Sequence, residues 1–87
     1  MIDEFAVENT ILRMAAERGP DKTLDPAEAA RAIAGTSVDA WGPLMQPLKR
    51  IAMRLAREGR IVLYRKGQPI SPDELRGIYR IGLPRHD

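Results

Sequence analysis

The chain has 87 residues, of which 44% are apolar and 30% are charged, and this balance is typical of one small globular domain. It contains no cysteine, which excludes disulfide scaffolds, thiolate zinc sites and cysteine nucleophiles. The single histidine, His86, is the penultimate residue, so we expect neither a metal site nor a cofactor. An acidic N-terminus without a long apolar core, and no apolar run of about 18 residues, predict a cytoplasmic protein without a signal peptide.

The formal net charge of +2 conceals an uneven distribution. Residues 1–40 carry eight acidic and four basic side chains, whereas residues 41–87 carry four acidic and ten basic side chains. The two halves therefore differ in sign, at −4 and +6. A split of this kind indicates a polyanionic partner, although solvated arginine-rich helices that bind nothing show it too.

Residues 3–18 form the first predicted helix. Phe5, Leu12 and Ala15 share a face with Ile11, because the apolar residues recur at three- and four-residue spacings. Gly19-Pro20 ends this helix, and Thr23-Leu24 fits a very short strand.

A second helix is predicted at 26–34. Asp25 is its N-cap, Pro26 its first residue, and Glu28 stands three positions after the cap. Gly35 ends it. Its expected core residues are Ala29, Ala30, Ile33 and Ala34.

Two prolines, Pro43 and Pro47, exclude one uninterrupted helix from residue 38 onward. We expect a short helical segment at 38–46 and a third main helix at 46–58. Trp41, at the start, is expected to fill the gap between the second and third helices; an anchor for a partner is the alternative. The expected core stripe of the third helix comprises Leu44, Leu48, Ile51, Ala52 and Leu55.

Gly59 ends the third helix, and residues 60–65 read as a strand with Ile61 and Leu63 facing the core. The stretch 66–69 has turn composition. Residues 71–74 repeat a capping-box pattern and start one helical turn that ends at Gly77. A second strand is predicted near 78–82, antiparallel to the first, followed by a frayed tail at 83–87.

This order of elements predicts an α+β fold of the winged helix-turn-helix type, with three helices, a small antiparallel β-sheet and a loop that projects between the last two strands. One domain spans residues 1–87. We expect Leu12, Ile33, Leu48, Ile51, Leu55, Ile61 and Leu63 to be largely buried.

Several segments carry a resemblance to a known family. They are DPAEAARAIAG at 25–35, W-x-x-L-M-x-x-L at 41–48, RLAREGRI at 54–61, KGQPI at 66–70 and RGIYRI at 76–81. Together they resemble the bacterial DUF3253 family over roughly residues 8–82. The resemblance implies a small winged-helix-like domain without an assigned biochemical role, and it transfers no site residue. Tyr79 departs from the pattern, because a proline or a small residue is expected there.

The candidate nucleic-acid contacts lie on the third helix and at the tip of the wing. Arg50, Arg54 and Arg57 project from one helix face and could reach base edges or phosphates in a major groove. The alternative is a solvated face on which Arg57 complements the helix dipole. Arg65 and Lys66 flank the wing tip, where they contact phosphates or, alternatively, protect a sheet edge from pairing.

No catalytic constellation is evident. Asp73 and Glu74 are adjacent and do not converge on one substrate atom, and Lys49 has no glycine-rich phosphate loop beside it. We therefore expect a non-enzymatic winged-helix protein that binds double-stranded DNA, as a small regulator or accessory factor. The alternative is a protein–protein interaction module on the same frame, with a protein partner or as a homodimer. In a DNA-binding protein the acidic first helix should face away from the basic surface, whereas an interaction module should leave an apolar patch exposed.

Overall fold

A computed structural model describes residues 3–84 of the chain. It is an α+β domain in which helices pack on a four-stranded antiparallel sheet. The helices are α1 (Glu4–Arg18), α2 (Pro26–Ala34), the short α3 (Val38–Trp41) and α4 (Met45–Arg57). The strands are β1 (Thr23–Leu24), β2 (Val62–Arg65), β3 (Gln68–Ile70) and β4 (Arg80–Gly82). Residues 85–87 of the predicted frayed tail lie outside the described residues.

The helix boundaries follow from local capping. Asp3 and Asp25 cap α1 and α2, because their carboxylates accept hydrogen bonds from the N–H groups of Ala6 (3.1 Å) and Ala27 (3.0 Å). The predicted helices at 3–18, 26–34 and 46–58 are confirmed to within one residue at each end. Pro47 lies in the first turn of α4, where the missing N–H group has no helical partner to lose.

A 3₁₀ turn (Gly42–Leu44) joins α3 to α4, so the segment before the main helix is helical, as predicted.

The junction between α4 and β2 is a tight reversal at Gly59. Its φ of +78° lies in the left-handed region, which glycine adopts without steric cost. The N–H of Arg60 donates to the carbonyl oxygen of Leu55 at 3.0 Å, and this bond satisfies a free carbonyl at the end of the helix. Only residues 58–61 therefore separate α4 from the sheet, and β2 begins two residues later than the strand predicted at 60–65.

The strand order across the sheet is β1-β4-β2-β3. The antiparallel pairing of β2 with β4 is confirmed, with Leu63 opposite Ile81. Strand β3 was not predicted, because residues 66–69 read as a turn. Only Lys66 and Gly67 form that turn, and since both have positive φ angles (+53° and +79°) it has the type I′ geometry that suits a two-residue hairpin.

Strand β4 begins two residues later than predicted. Ile78 precedes the strand with 88% of its surface exposed, and Tyr79, also before the strand, is buried in the core. The 3₁₀ turn Pro72–Glu74 packs on α4, and Leu75 is buried. We expected a loop that projects between the last two predicted strands. Residues 72–75 of that segment pack on the domain instead, so the expectation is wrong for them.

The core lies between the helices and the inner face of the sheet. Five of the seven residues expected there are buried, while Leu12 and Ile33 are only half-buried at its edge. Phe5 was expected on the buried face of α1, but it is 69% exposed. The buried face centres on Ile11 and Val7, and Phe5, two residues before Val7, lies about 200° around the helix from it. The largest fully buried side chains are Ile11, Leu24, Leu48, Leu55, Ile61, Leu63, Ile81 and Val7.

Within residues 3–84, no helix is both long enough and apolar enough to cross a membrane.

Candidate nucleic-acid interface

Arg54 is held by two carboxylates. Its Nη1 donates to Oε1 of Glu8 at 3.2 Å and to Oε2 of Glu58 at 3.2 Å. These bonds, that of Glu58 foremost, raise the pKa of Arg54 above its ordinary value, because both carboxylates stabilise the charged guanidinium. The positive charge of Arg54 is therefore largely compensated within the molecule.

Glu8 connects the acidic helix α1 to the end of α4. Its Oε1 also accepts a hydrogen bond from Nη1 of Arg60 at 3.0 Å, and its side chain is only 14% exposed. We expected the acidic first helix of a DNA-binding protein to face away from the basic surface. In the structure, α1 instead lies against the arginines of α4.

Arg57 is also paired. Its Nη2 donates to Oδ1 of Asp73 at 3.0 Å, which links α4 to the loop that follows β3. Both side chains are more than half exposed, so solvent screens the pair and its contribution to stability is small. What matters for function is that a carboxylate lies against this guanidinium too.

Arg50, Arg65 and Lys66 are different. All three are exposed, and within residues 3–84 none of them has a hydrogen bond or ion pair through its side chain. Arg50 lies on the N-terminal half of α4 in a shallow pocket of about 240 Å³ that Glu4 and Pro47 also line. Arg65 and Lys66 lie at the end of the β2–β3 hairpin. The structure thus divides the five predicted contact residues into a paired set and an unpaired set.

A further basic cluster lies on the outer face of the sheet, and no pattern in the sequence indicates it. Lys22, Tyr64, Lys66 and Arg80 line one pocket of about 220 Å³ together with Thr23, Gly67, Pro20 and Asp21. Arg80 donates from Nε to Oγ1 of Thr23 at 2.6 Å and from Nη2 to the carbonyl oxygen of Thr23 at 3.1 Å. These residues meet because β4 pairs with β1, which is 57 residues away in the sequence, and no local pattern predicts that pairing.

Trp41 is half-buried and packs against the core. The guanidinium carbon of Arg31 lies 5.4 Å from the centroid of its ring, in a cation–π arrangement. Over the described part of the chain, no group of three acidic or histidine side chains is placed to hold a metal ion.

The fold and these surfaces define a small α+β domain with basic groups on a helix, at a hairpin end and on a sheet face. Over residues 4–84, nearly its whole length, the chain matches the family described as "Protein of unknown function (DUF3253)". The chain therefore belongs to the DUF3253 family, and the resemblance noted in the sequence is confirmed. A search of curated proteins finds no significant match. The family has no assigned activity, so membership identifies no function.

Proposed function

We propose that this protein is a non-enzymatic, cytoplasmic winged-helix domain that binds double-stranded DNA, and that Arg50, Arg65 and Lys66 make its contacts. The observation that carries the proposal is that these three cations have no internal partner within residues 3–84. An unpaired, exposed cation can neutralise a phosphate and release its counterion at no cost in internal ion pairs.

The topology supports the winged-helix assignment. A helix, a short strand, two helix-bearing segments and a hairpin follow one another, and the last strand, β4, lies between β1 and β2. In this arrangement α2 and α4 correspond to the two helices of a helix-turn-helix unit, and the β2–β3 hairpin corresponds to the wing. A recognition helix contacts bases mainly through its N-terminal residues, and Arg50 lies in that half of α4.

The paired arginines have a different role in this proposal. Arg54 and Arg57 belong to the C-terminal half of α4, where Glu8, Glu58 and Asp73 neutralise them. Contact with a phosphate would require these ion pairs to open. We therefore assign Arg54 and Arg57 to the packing of α1 and of the loop on α4.

Three phosphate contacts predict modest, strongly salt-dependent binding. The logarithm of the association constant should fall with the logarithm of salt concentration with a slope of about −3, since each contact contributes about −0.9. Non-specific dissociation constants in the range of about 10⁻⁴ to 10⁻⁶ M are usual for such interactions.

The test is a fluorescence-anisotropy titration of a labelled random duplex in low salt. The triple variant Arg50→Ala/Arg65→Ala/Lys66→Ala should lose more than about tenfold in affinity and most of its salt slope. Its matched control is Arg54→Ala/Arg57→Ala, which removes charge from the same helix and should change affinity less than about threefold. If the control variant lost as much as the triple variant, the division into unpaired and paired cations would be wrong.

Two observations favour the alternative, a protein–protein interaction module. The acidic helix α1 lies against the arginines of α4 through Glu8, and an apolar side chain is exposed. Ile78 is 88% exposed and lines a shallow pocket of about 530 Å³ together with Gly77, Arg65 and Lys66. An apolar side chain beside two cations suits an acidic peptide as well as a nucleic acid. Failure of the wild-type protein to bind duplex DNA in low salt would make this the leading function.

A further inference from the structure

We propose that the outer face of the sheet is a second site, which binds one phosphate of a single-stranded nucleic acid between Lys22, Lys66 and Arg80 with the neighbouring base on Tyr64. This site does not depend on the duplex binding proposed above, because Lys66 is the only residue common to both.

The sheet register brings the site together. Tyr64 is opposite Arg80, and Thr23 is opposite Gly82 on the other side of β4. Because side chains alternate along a strand, Tyr64 and Arg80 share the face opposite to the buried Leu63 and Ile81.

Gly82 allows the ring of Tyr64 to lie close to β4. A Cβ atom at Gly82 would be 2.9 Å from Cε2 of Tyr64, so any larger residue would displace the ring. The ring remains partly exposed at the pocket. It therefore lies close to β4 and still offers a surface on which a base can stack, a contact that tolerates any base.

Arg80 is pre-positioned without losing its charge. Both of its acceptors belong to Thr23 and are neutral, a hydroxyl and a carbonyl oxygen. A guanidinium has five N–H donors, so three remain for a ligand. A phosphate is the natural ligand, since its oxygens match the geometry of the guanidinium and carry the opposite charge.

Two lysines complete the site. Lys22 approaches from the loop after α1, and Lys66 approaches from the hairpin turn. Neither ammonium group has an ion pair within residues 3–84. Asp21 is the one acidic residue that lines the pocket, so the lining side chains carry three positive charges and one negative charge.

The size of the pocket favours a strand over a free nucleotide. Its volume of about 220 Å³ is below the roughly 300 Å³ at which small-molecule sites begin, so it cannot enclose a whole nucleotide. A phosphate fits, while the sugar and the base must lie on the surrounding surface. A strand gains from successive contacts over such an open surface, whereas a free nucleotide does not.

The experiment is an anisotropy titration of a labelled oligothymidylate of about eight nucleotides, a length within the usual range of single-strand sites, in low salt. Lys22→Glu should weaken binding more than about tenfold and reduce the salt slope. Tyr64→Leu should weaken binding about tenfold with the salt slope unchanged, because stacking releases no counterion. The matched control Lys49→Glu makes the same charge change on α4, outside the pocket, and should change affinity less than about threefold.

Circular dichroism establishes that each variant is folded, and the Lys22 variant tests the site even if Tyr64→Leu proves unstable. Equal losses in Lys22→Glu and Lys49→Glu would overturn the proposal in favour of diffuse attraction. So would an absence of oligothymidylate binding by the wild-type protein. Competition by thymidine monophosphate at the same concentration as the oligonucleotide would overturn the assignment to a strand. Arg50→Ala separates the two proposals, because it should weaken duplex binding and leave oligothymidylate binding unchanged.

Discussion

Arg54 and Arg57 of α4 and Arg80 on the outer face of the sheet are all accessible to solvent, yet they differ in what holds them. Arg54 and Arg57, at 43% and 53% exposure of their side chains, are held by carboxylates. Arg80 is held by a hydroxyl and a carbonyl oxygen. The first arrangement consumes the charge that would attract an anion, whereas the second fixes the side chain and keeps its charge. The chemistry of the partner therefore says more about a binding role than exposure does.

Arg31 is held in a third way, by a cation–π contact with the ring of Trp41. Of the substitutions considered, removal of that ring should have the largest effect on stability. Trp41→Ala should lower the free energy of unfolding by about 3 kcal/mol, the lower end for a large aromatic residue because the ring is half-buried. Denaturant unfolding measures this change, with Trp41→Phe as the control that keeps a ring and should cost less. A loss below about 1 kcal/mol would show that the ring is peripheral to the core and would favour the interaction-module function.

Glu8→Gln should have the second-largest effect on stability. It replaces a carboxylate partner of the arginines by a neutral amide. It removes the carboxylate that binds Arg54 and Arg60 while keeping the shape of the side chain. The free energy of unfolding should fall by about 1.5 kcal/mol, because the two hydrogen bonds keep an acceptor oxygen but lose the negative charge that strengthens them. Duplex affinity should rise about threefold, since two guanidinium groups gain freedom to contact phosphate.

Glu17→Gln is the matched control for this variant. Glu17 pairs with Arg13, and both side chains are more than half exposed, so stability should change by less than about 0.5 kcal/mol. Unchanged duplex affinity in Glu8→Gln would show that internal pairing does not limit these arginines.

Tyr79, which leads into the strand that carries Arg80, gives a pH-dependent prediction. Among the described residues, its hydroxyl is the one buried side-chain polar atom without a hydrogen-bond partner. Burial, with a smaller effect from the carboxylate of Asp25, raises the pKa of Tyr79 to about 12. Tyr79→Phe removes the unpaired hydroxyl and should raise the free energy of unfolding at neutral pH by about 1 kcal/mol.

The wild-type protein should also lose stability in alkaline solution through this residue. The folded pKa of about 12 lies above the unfolded value of about 10, so between these values the unfolded chain ionises first and is favoured. The loss attributable to Tyr79 should reach about 1.4 kcal/mol per pH unit. The free energy of unfolding, measured as a function of pH, should therefore fall more steeply above pH 10 for the wild-type protein than for Tyr79→Phe. An equal pH dependence of the two proteins would contradict the prediction.

Thr23→Val should have the smallest effect. It removes the hydroxyl acceptor of Arg80 but leaves the carbonyl oxygen and the branched shape of the strand residue. The free energy of unfolding should change by about 0.5 kcal/mol, measured by denaturant titration. A loss as large as that of Glu8→Gln would mean that a neutral partner holds an arginine as firmly as a carboxylate does.

The sequence predicted those parts of the fold that depend on neighbouring residues. Caps at Asp25 and Gly59, together with apolar spacing, placed the helices, since capping involves residues only a few positions apart. Strand β3 was missed because Pro69 and the Lys66-Gly67 pair read as a turn, and a three-residue edge strand leaves little alternation to detect.

The hydrogen-bond partners of the arginines in the candidate site could not be predicted from neighbouring residues. Arg54 and Glu8 are 46 residues apart, and Arg80 and Thr23 are 57 residues apart. Helix periodicity correctly placed the arginines of α4 away from the core, but it carries no information about which distant carboxylate lies beside them. The role of Lys22 in the cluster could not be predicted, because its loop has no sequence pattern of its own.

The strand order has a consequence for how the domain is made. Strand β4 lies between β1 and β2, yet it is the last of the four to leave the ribosome. Until it emerges, β1 has no neighbour to pair with, and the β2–β3 hairpin lacks the strand that joins it to the rest of the sheet. The helices can form during synthesis because their hydrogen bonds are local, but the nascent domain keeps open strand edges until its final segment arrives. Completion of the fold is therefore tied to the end of the domain's translation, and a chain interrupted before Arg80 would expose those edges to aggregation.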